Sequence, residues 1–216
     1  MPQLQRGILI AIEGIDGSGK TTLINNLADR FAQLNLPVLK TREPGASKLG
    51  KALRELLQHR TYDIFPVAEF LLFAADRAQH MQEIILPALQ AHTIVISDRM
   101  SDSSLVYQGY GKGVDLEMIN SVNRWAMHNK KPDLTCFVHI EQQLAKKRLH
   151  ERAQKLTAFE KESNDFTQKL IAGFETLYKN REDVIFLEGS DAPESIAHNA
   201  FTQIKTFLVN NRLLTL

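Results

Sequence analysis

An apolar run, Ile8 to Ile12, leads through Glu13 into Gly14, Ile15, Asp16, Gly17, Ser18, Gly19, Lys20 and Thr21, and an amphipathic stretch follows. This is a complete G-x-x-x-x-G-K-[ST] pattern, and it works only with a strand before it and a helix after it. The glycines let the backbone wrap around an anion, with the N–H groups of the loop and of the helix N-terminus turned inward. In that setting Lys20 reaches the outer phosphates of a nucleoside triphosphate such as ATP, and the Thr21 hydroxyl is a ligand for Mg²⁺. An ordinary strand-to-helix turn has no need of the lysine and threonine. Switches, motors and kinases all share the pattern, so it identifies a nucleotide site and leaves the reaction to the other loops.

The rest of the chain repeats the strand-then-helix alternation. Short β-branched runs lie at Ile8 to Ile12, Val38 to Thr41, Thr93 to Ser97, Leu134 to Ile140 and Val184 to Leu187. Each reads as a strand buried on both faces. Between and after them, helical periodicity runs over Thr21 to Gln33, Lys48 to Gln58, Val67 to Gln90, Leu116 to His128, Gln142 to Arg152, Asn164 to Tyr178 and Pro193 to Asn210. The expected fold is α/β, a three-layer sandwich with a five-stranded parallel sheet between helices. No repeat or Gly/Ser/Pro-rich linker divides the 216 residues, so residues 1–216 are expected to form one domain. In such sheets ligands sit beyond the carboxyl ends of the strands.

Composition removes several classes of function. With 26 Lys and Arg against 25 Asp and Glu, the net charge of +1 lacks the basic footprint of a nucleic-acid binder. The opening Met-Pro-Gln-Leu-Gln-Arg-Gly is no signal peptide, and no apolar run approaches the roughly 20 residues that span a bilayer. A soluble, cytoplasmic protein without a membrane partner is expected. The sole cysteine, Cys136, lies inside an apolar run and reads as a buried core thiol.

The loops after the second and third strands carry the next signals. Thr41-Arg-Glu-Pro-Gly45 places a guanidinium and a carboxylate at a sheet end, although Pro-Gly marks any turn and Arg-Glu is a common surface pair. Asp98, after an apolar strand beside the glycine-rich loop, is placed to act on the Mg²⁺ shell. Arg42 and Arg99 add two cations away from Lys20, which points to a second phosphate, that of an acceptor. Phe73 and Arg77, four residues apart, share a helix face. They fit either a stacked and hydrogen-bonded base or a core Phe beside a salt-bridged Arg.

Glu13-Gly-Ile-Asp-Gly-Ser-Gly-Lys-Thr-Thr22, Thr41-Arg-Glu-Pro-Gly45, Phe73-Ala-Ala-Asp-Arg77, Asp98-Arg99 and Ser103-Ser-Leu-Val-Tyr-Gln-Gly109 together resemble the thymidylate kinases, in the family's order over nearly the whole chain. The resemblance implies that ATP phosphorylates thymidine monophosphate (dTMP), that Thr22 belongs to the ATP site, and that Arg42 and Arg99 bind the acceptor phosphate. It implies further that Phe73 stacks on thymine, that Arg77 reads the base edge, and that Ser104 and Gln108 lie in the acceptor pocket. Asp16 matches a contact to the sugar 3′ hydroxyl, and Tyr107 the aromatic that crowds the 2′ position. Asp98 matches the acid near Mg²⁺, and a homodimer is the assembly implied.

Ala46, Met100 and Val106 depart mildly from the family pattern. The lid, roughly residues 148–164, departs more: Thr157-Ala-Phe-Glu160 stands where Asp-Arg-x-Glu is common, and Gly17 where other members place an arginine. Arg148 and Arg152, four apart on one helix, either form part of a solvated basic face or supply the missing cation, Arg152 to the transferring group and Arg148 in support at the ATP site. Two alternatives stand beside this reading: another deoxynucleoside or nucleoside monophosphate kinase, and, because the lid is altered, a nucleotide-binding protein of weak turnover.

Overall fold

The computed structural model describes residues 2–59, 61–152, 157, 159 and 163–215. Strands β1 (Gln3–Leu4), β2 (Ile8–Glu13), β3 (Val38–Arg42), β4 (Ile94–Asp98), β5 (Leu134–His139), β6 (Val184–Glu188) and β7 (Leu214–Thr215) form two sheets. The main sheet is parallel and five-stranded, in the order β3-β4-β2-β5-β6. β1 and β7 pair antiparallel and join the two ends of the chain.

Side chains alternate across β2 as the pleat requires. Ile8, Ile10 and Ile12 pack with Leu23, Leu27 and Phe31 of α1 (Lys20–Gln33) and with Ile204 and Leu208 near the C-terminus. Leu9 and Ala11 face the other way, toward Met81 and Ile85. Helices therefore cover both faces, which gives the α/β three-layer architecture.

The expectation of strands buried on both faces holds for β2, β4 and β5 and fails for β3 and β6. Those two are the sheet edges, and Phe186 of β6 is 50% exposed. After α2 (Lys48–Gln58), the long helix expected over Val67 to Gln90 is three pieces. α3 (Pro66–His80) passes through a π-helical turn, Met81–Ile85, into α4 (Leu86–Gln90). The backbone widens one residue before Pro87, which has no N–H to donate, and the Leu86 N–H reaches Met81 O.

The segment after β4, to which the sequence periodicity assigns no helix, is helical: α5 (Ser101–Ser104) continues as a π turn over Leu105–Gly111. α6 (Leu116–Ala126), α7 (Gln142–Glu151), α8 (Asn164–Tyr178) and α9 (Pro193–Asn210) complete the layers. Asp115 caps α6 and Ser163 caps α8, each side chain accepting a hydrogen bond from the first turn. α1 has no such side-chain cap: its N-cap is Gly19, at φ 102°, so its first N–H groups are left for another partner.

Candidate active site

Parallel pairing brings the carboxyl ends of β2, β3 and β4 level, with Ile12 and Arg42 both in register with Asp98. Above them lies a cavity of about 950 Å³. The glycine-rich loop and α7 contribute Asp16, Gly17, Gly19, Lys20, Thr21, Thr22, Arg148, Glu151 and Arg152 to its lining. Arg42, Arg54, Phe73, Arg77, Ser104, Tyr107 and Gln108 also line it, and Asp98 and Arg99 lie where β4 ends. Of the residues singled out from sequence, three from the loop lie outside the lining. Gly14 underlies it, with its carbonyl accepting from Lys20. Ile15 is buried in an aromatic cluster with Tyr107 and Phe137. The Ser18 Oγ is buried with no partner among the described residues.

The loop is shaped as its glycines allow. Gly17, at φ 82°, presses against α7 so closely that a Cβ would lie 2.5 Å from the Ala145 carbonyl oxygen. An arginine is therefore excluded at 17 by backbone as well as by sequence. Lys20 is buried, and its Nζ donates to the carbonyls of Gly14 at 3.0 Å and Ile15 at 2.8 Å. Burial, then the nearby Arg99 guanidinium, holds its ammonium below the usual lysine range.

Arg99 occupies the left-handed region at φ 71°, uncommon for a residue with a side chain. Its Nη2 donates to Asp16 Oδ1 at 2.7 Å and to the Tyr107 hydroxyl at 3.0 Å, its Nη1 donates to Ser103 Oγ at 3.0 Å, and its guanidinium lies 4.9 Å from the Tyr107 ring centre. Burial raises the Asp16 carboxyl and Arg99 and Lys20 lower it, and the net direction is down. Burial pushes the Tyr107 phenol up.

Arg77 shows the second of its two sequence readings. It is fully buried and makes four hydrogen bonds, donating to Glu43 Oε2 at 2.8 Å, Asn123 Oδ1, the Met100 carbonyl at 3.2 Å and Ser104 Oγ at 3.2 Å. Phe73 is no core residue, however: its ring lines the cavity and meets Phe159 at 5.8 Å. Glu43 belongs to no surface pair. It is buried between Arg77 and His80, and His80 in turn contacts Thr41 Oγ1 at 2.6 Å. Gln108 is buried, and its amide donates to Glu69 Oε1 at 3.0 Å.

Arg42 is exposed at the end of β3. Sequence reasoning missed its neighbour Arg54, which donates to the Pro44 carbonyl at 2.8 Å and lines the cavity from α2. A single arginine in an amphipathic helix carries no signal of its own. From α7, Arg148 Nη1 approaches Ser18 O at 3.5 Å, and Arg152 lies near enough to help lower Asp16. The lid motif Thr157 to Glu160 lies partly outside the described residues; Phe159, within it, faces Phe73, Tyr107 and the Lys112 ammonium. No described helix is long and apolar enough to cross a membrane.

The sequence profile of the thymidylate kinase family matches residues 12–200. A thymidylate kinase of Carboxydothermus hydrogenoformans is 41% identical over 203 residues, covering 94% of this chain and 97% of that protein. One from Halothermothrix orenii is 37% identical over 94% of this chain and 99% of its own length. The crystal structure of thymidylate kinase from Ehrlichia chaffeensis superposes with a TM-score of 0.74 at 29% identity, covering 92% of this chain and 98% of that one.

Proposed function

The chain belongs to the thymidylate kinase family of phosphotransferases, and on that premise we propose that it transfers the terminal phosphoryl group of ATP to dTMP, giving thymidine diphosphate. One observation carries the reading: a single cavity is lined both by the glycine-rich loop with Lys20 and by a second set of cations, Arg42, Arg54 and Arg99, beside the rings of Phe73 and Tyr107. A switch or an ATPase has no use for the second set.

The acceptor phosphate is already a nucleophile, so the protein's task is alignment and charge neutralisation. The uncapped N-terminus of α1 and Lys20 receive the phosphates of ATP. Arg99 and Arg42 grip the acceptor phosphate, with Asp16 and Tyr107 fixing the Arg99 fork. Phe73 offers its face to thymine, Ser104 and Gln108 line the polar side of the pocket, and the Arg77 fork has one further N–H to offer the base edge. Asp16 has a second role toward the sugar 3′ hydroxyl, and the Tyr107 ring fills the space a 2′ hydroxyl would take. Arg152, with Arg148 beside it, supplies the lid cation; the lid expected over roughly residues 148–164 of one kinase domain lies partly outside the described residues.

The Thr21 hydroxyl and the Asp98 carboxylate line the same cavity, and such hard oxygen donors suit Mg²⁺. Bound there, the ion would neutralise charge on the transferring phosphate. We further propose a cytoplasmic homodimer, supported by the apolar side chains that α3 and α6 leave exposed.

The test is release of ADP from ATP and Mg²⁺ across a panel of nucleoside monophosphates. Thymidine monophosphate should give the highest kcat/KM. A purine monophosphate as the best acceptor would overturn the substrate, and nucleotide binding without turnover would leave only a binding protein.

A further inference from the structure

Glu13 ends β2 one residue before the glycine-rich loop, and the chemistry above makes no use of it. The five preceding strand residues, Ile8 to Ile12, are all apolar, and Glu13 is as fully buried as they are. A buried carboxyl costs stability at a place where another aliphatic side chain would pack. Among the described residues, its side-chain hydrogen bonds all go to the segment just after Arg99. Oε1 accepts from the Met100 N–H at 2.8 Å and the Ser103 N–H at 3.3 Å, and Oε2 accepts from the Ser103 hydroxyl at 2.6 Å.

That hydroxyl is also the acceptor for Arg99 Nη1 at 3.0 Å. Residues 100 and 103 follow Arg99, whose left-handed backbone needs holding. On its other flank the Arg99 N–H donates to Ile12 O at 3.0 Å, next to Glu13. The end of β2 thus grips the backbone of Arg99 from both directions and its guanidinium through one hydroxyl.

We propose that Glu13 is a positioning residue: through Ser103 and the N–H groups of residues 100 and 103, it sets where the Arg99 guanidinium meets the acceptor phosphate. This rests on the reading of Arg99 given under Proposed function. It adds a residue that touches neither substrate yet governs acceptor binding and alignment.

Glu13→Gln, Ser103→Ala, Ser103→Thr, Arg99→Lys and the double variant Glu13→Gln/Arg99→Lys are assayed at pH 8, where the Glu13 carboxyl is ionised, for kcat and for KM of each substrate, with melting temperature as a check on folding. Glu13→Gln should lower kcat/KM for dTMP by about tenfold or more, because misplacing an aligned group by an ångström costs on the order of 10²-fold. KM for ATP should stay at the parent value. Ser103→Ala should shift the same parameters in the same direction, and Ser103→Thr, which restores a hydroxyl, should recover most of the loss.

In the double variant the Glu13 change should cost little beyond Arg99→Lys alone, since groups acting through one another are not additive. Parent kinetics in Glu13→Gln and Ser103→Ala beside an impaired Arg99→Lys would overturn the proposal, as would additive losses or an equal rise in both KM values. An Arg99→Lys enzyme with parent kinetics would instead overturn the reading of Arg99 itself. Should Glu13→Gln fail to fold, the Ser103 pair decides alone.

Discussion

Burial pushes the Glu13 carboxyl from its ordinary 4.5 up to about 7, against the pull of Arg99 and with a push from Asp102. The folded value lies above the unfolded one, so below about pH 4.5 both states are protonated and nothing is lost. As pH rises toward 7 the unfolded chain ionises first and stability falls, by an amount on the order of 3 kcal/mol once the folded value is passed. Glu13→Gln does not titrate. Its urea midpoint, compared with that of the parent at pH 5 and pH 8, should therefore improve relative to the parent at the higher pH; parallel curves would place Glu13 in the ordinary carboxylate range. Lys20→Ala should act on rate instead, lowering kcat by about 10² or more by removing a cation preorganised for the transferring group. Near-parent turnover in that variant would mean the phosphates of ATP lie elsewhere. Lys20 was legible in the sequence because its whole loop spans eight consecutive residues. The partners of Arg77 were not: Glu43 lies 34 residues away and Asn123 lies 46, and no local spacing encodes either contact.

Elements with strong periodicity could be read directly, and those whose geometry depends on a neighbour could not. Five apolar runs gave five strands, yet nothing in Val38 to Thr41 or Val184 to Leu187 told that these two would be edges, because strand order is set by crossovers and not by composition. The π turn over Leu105–Gly111 was hidden for a similar reason, since its two glycines are poor helix formers by themselves. They serve packing instead, Gly109 against Leu116 and Gly111 against Phe166. α7 is the element where sequence and structure lead to the same experiment. Arg148 and Arg152 both reach the cavity from its C-terminal end, one toward the Ser18 carbonyl and the other bearing on Asp16. Gly17 has no room for a side chain, so a second cation over the transferring group, beside Lys20, has to come from outside the loop. Arg152→Ala should lower kcat by about 10²-fold or more with dTMP binding nearly intact, and Arg148→Ala should do so more weakly. Parent turnover in both variants would reduce this basic run to a solvated helix face.

At the scale of the whole molecule, the two most exposed large apolar side chains among the described residues, Trp125 and Phe65, lie on or beside two neighbouring helices. Trp125 of α6 is 84% exposed, Phe65 at the N-cap of α3 is 82%, and Val67 and Leu71 of α3 are each 49%. The Arg77–Asn123 bond and the Gln82–His128 contact at 2.7 Å hold α6 against α3 and the π turn that follows it. Single exposed apolar residues are ordinary, whereas several on adjoining elements, a tryptophan among them, are where the proposed homodimer would form. For a homodimer, two copies of such a face would meet across a two-fold axis. A buried tryptophan anchor is worth at least about 2 kcal/mol in such an interface, or roughly a 30-fold change in dissociation constant. Sedimentation velocity at micromolar concentration should therefore give a dimer for the parent chain. Trp125→Glu with Leu71→Glu should shift it to monomer, because each charge is placed where the partner copy brings the same charge. The inward side of α3 carries Arg77, held by Glu43 from the end of β3 and untouched by either substitution, so the monomer should keep its cavity and its melting transition. A parent chain that sediments as a monomer, or a double variant that remains a dimer, would mean these side chains are not the contact between subunits.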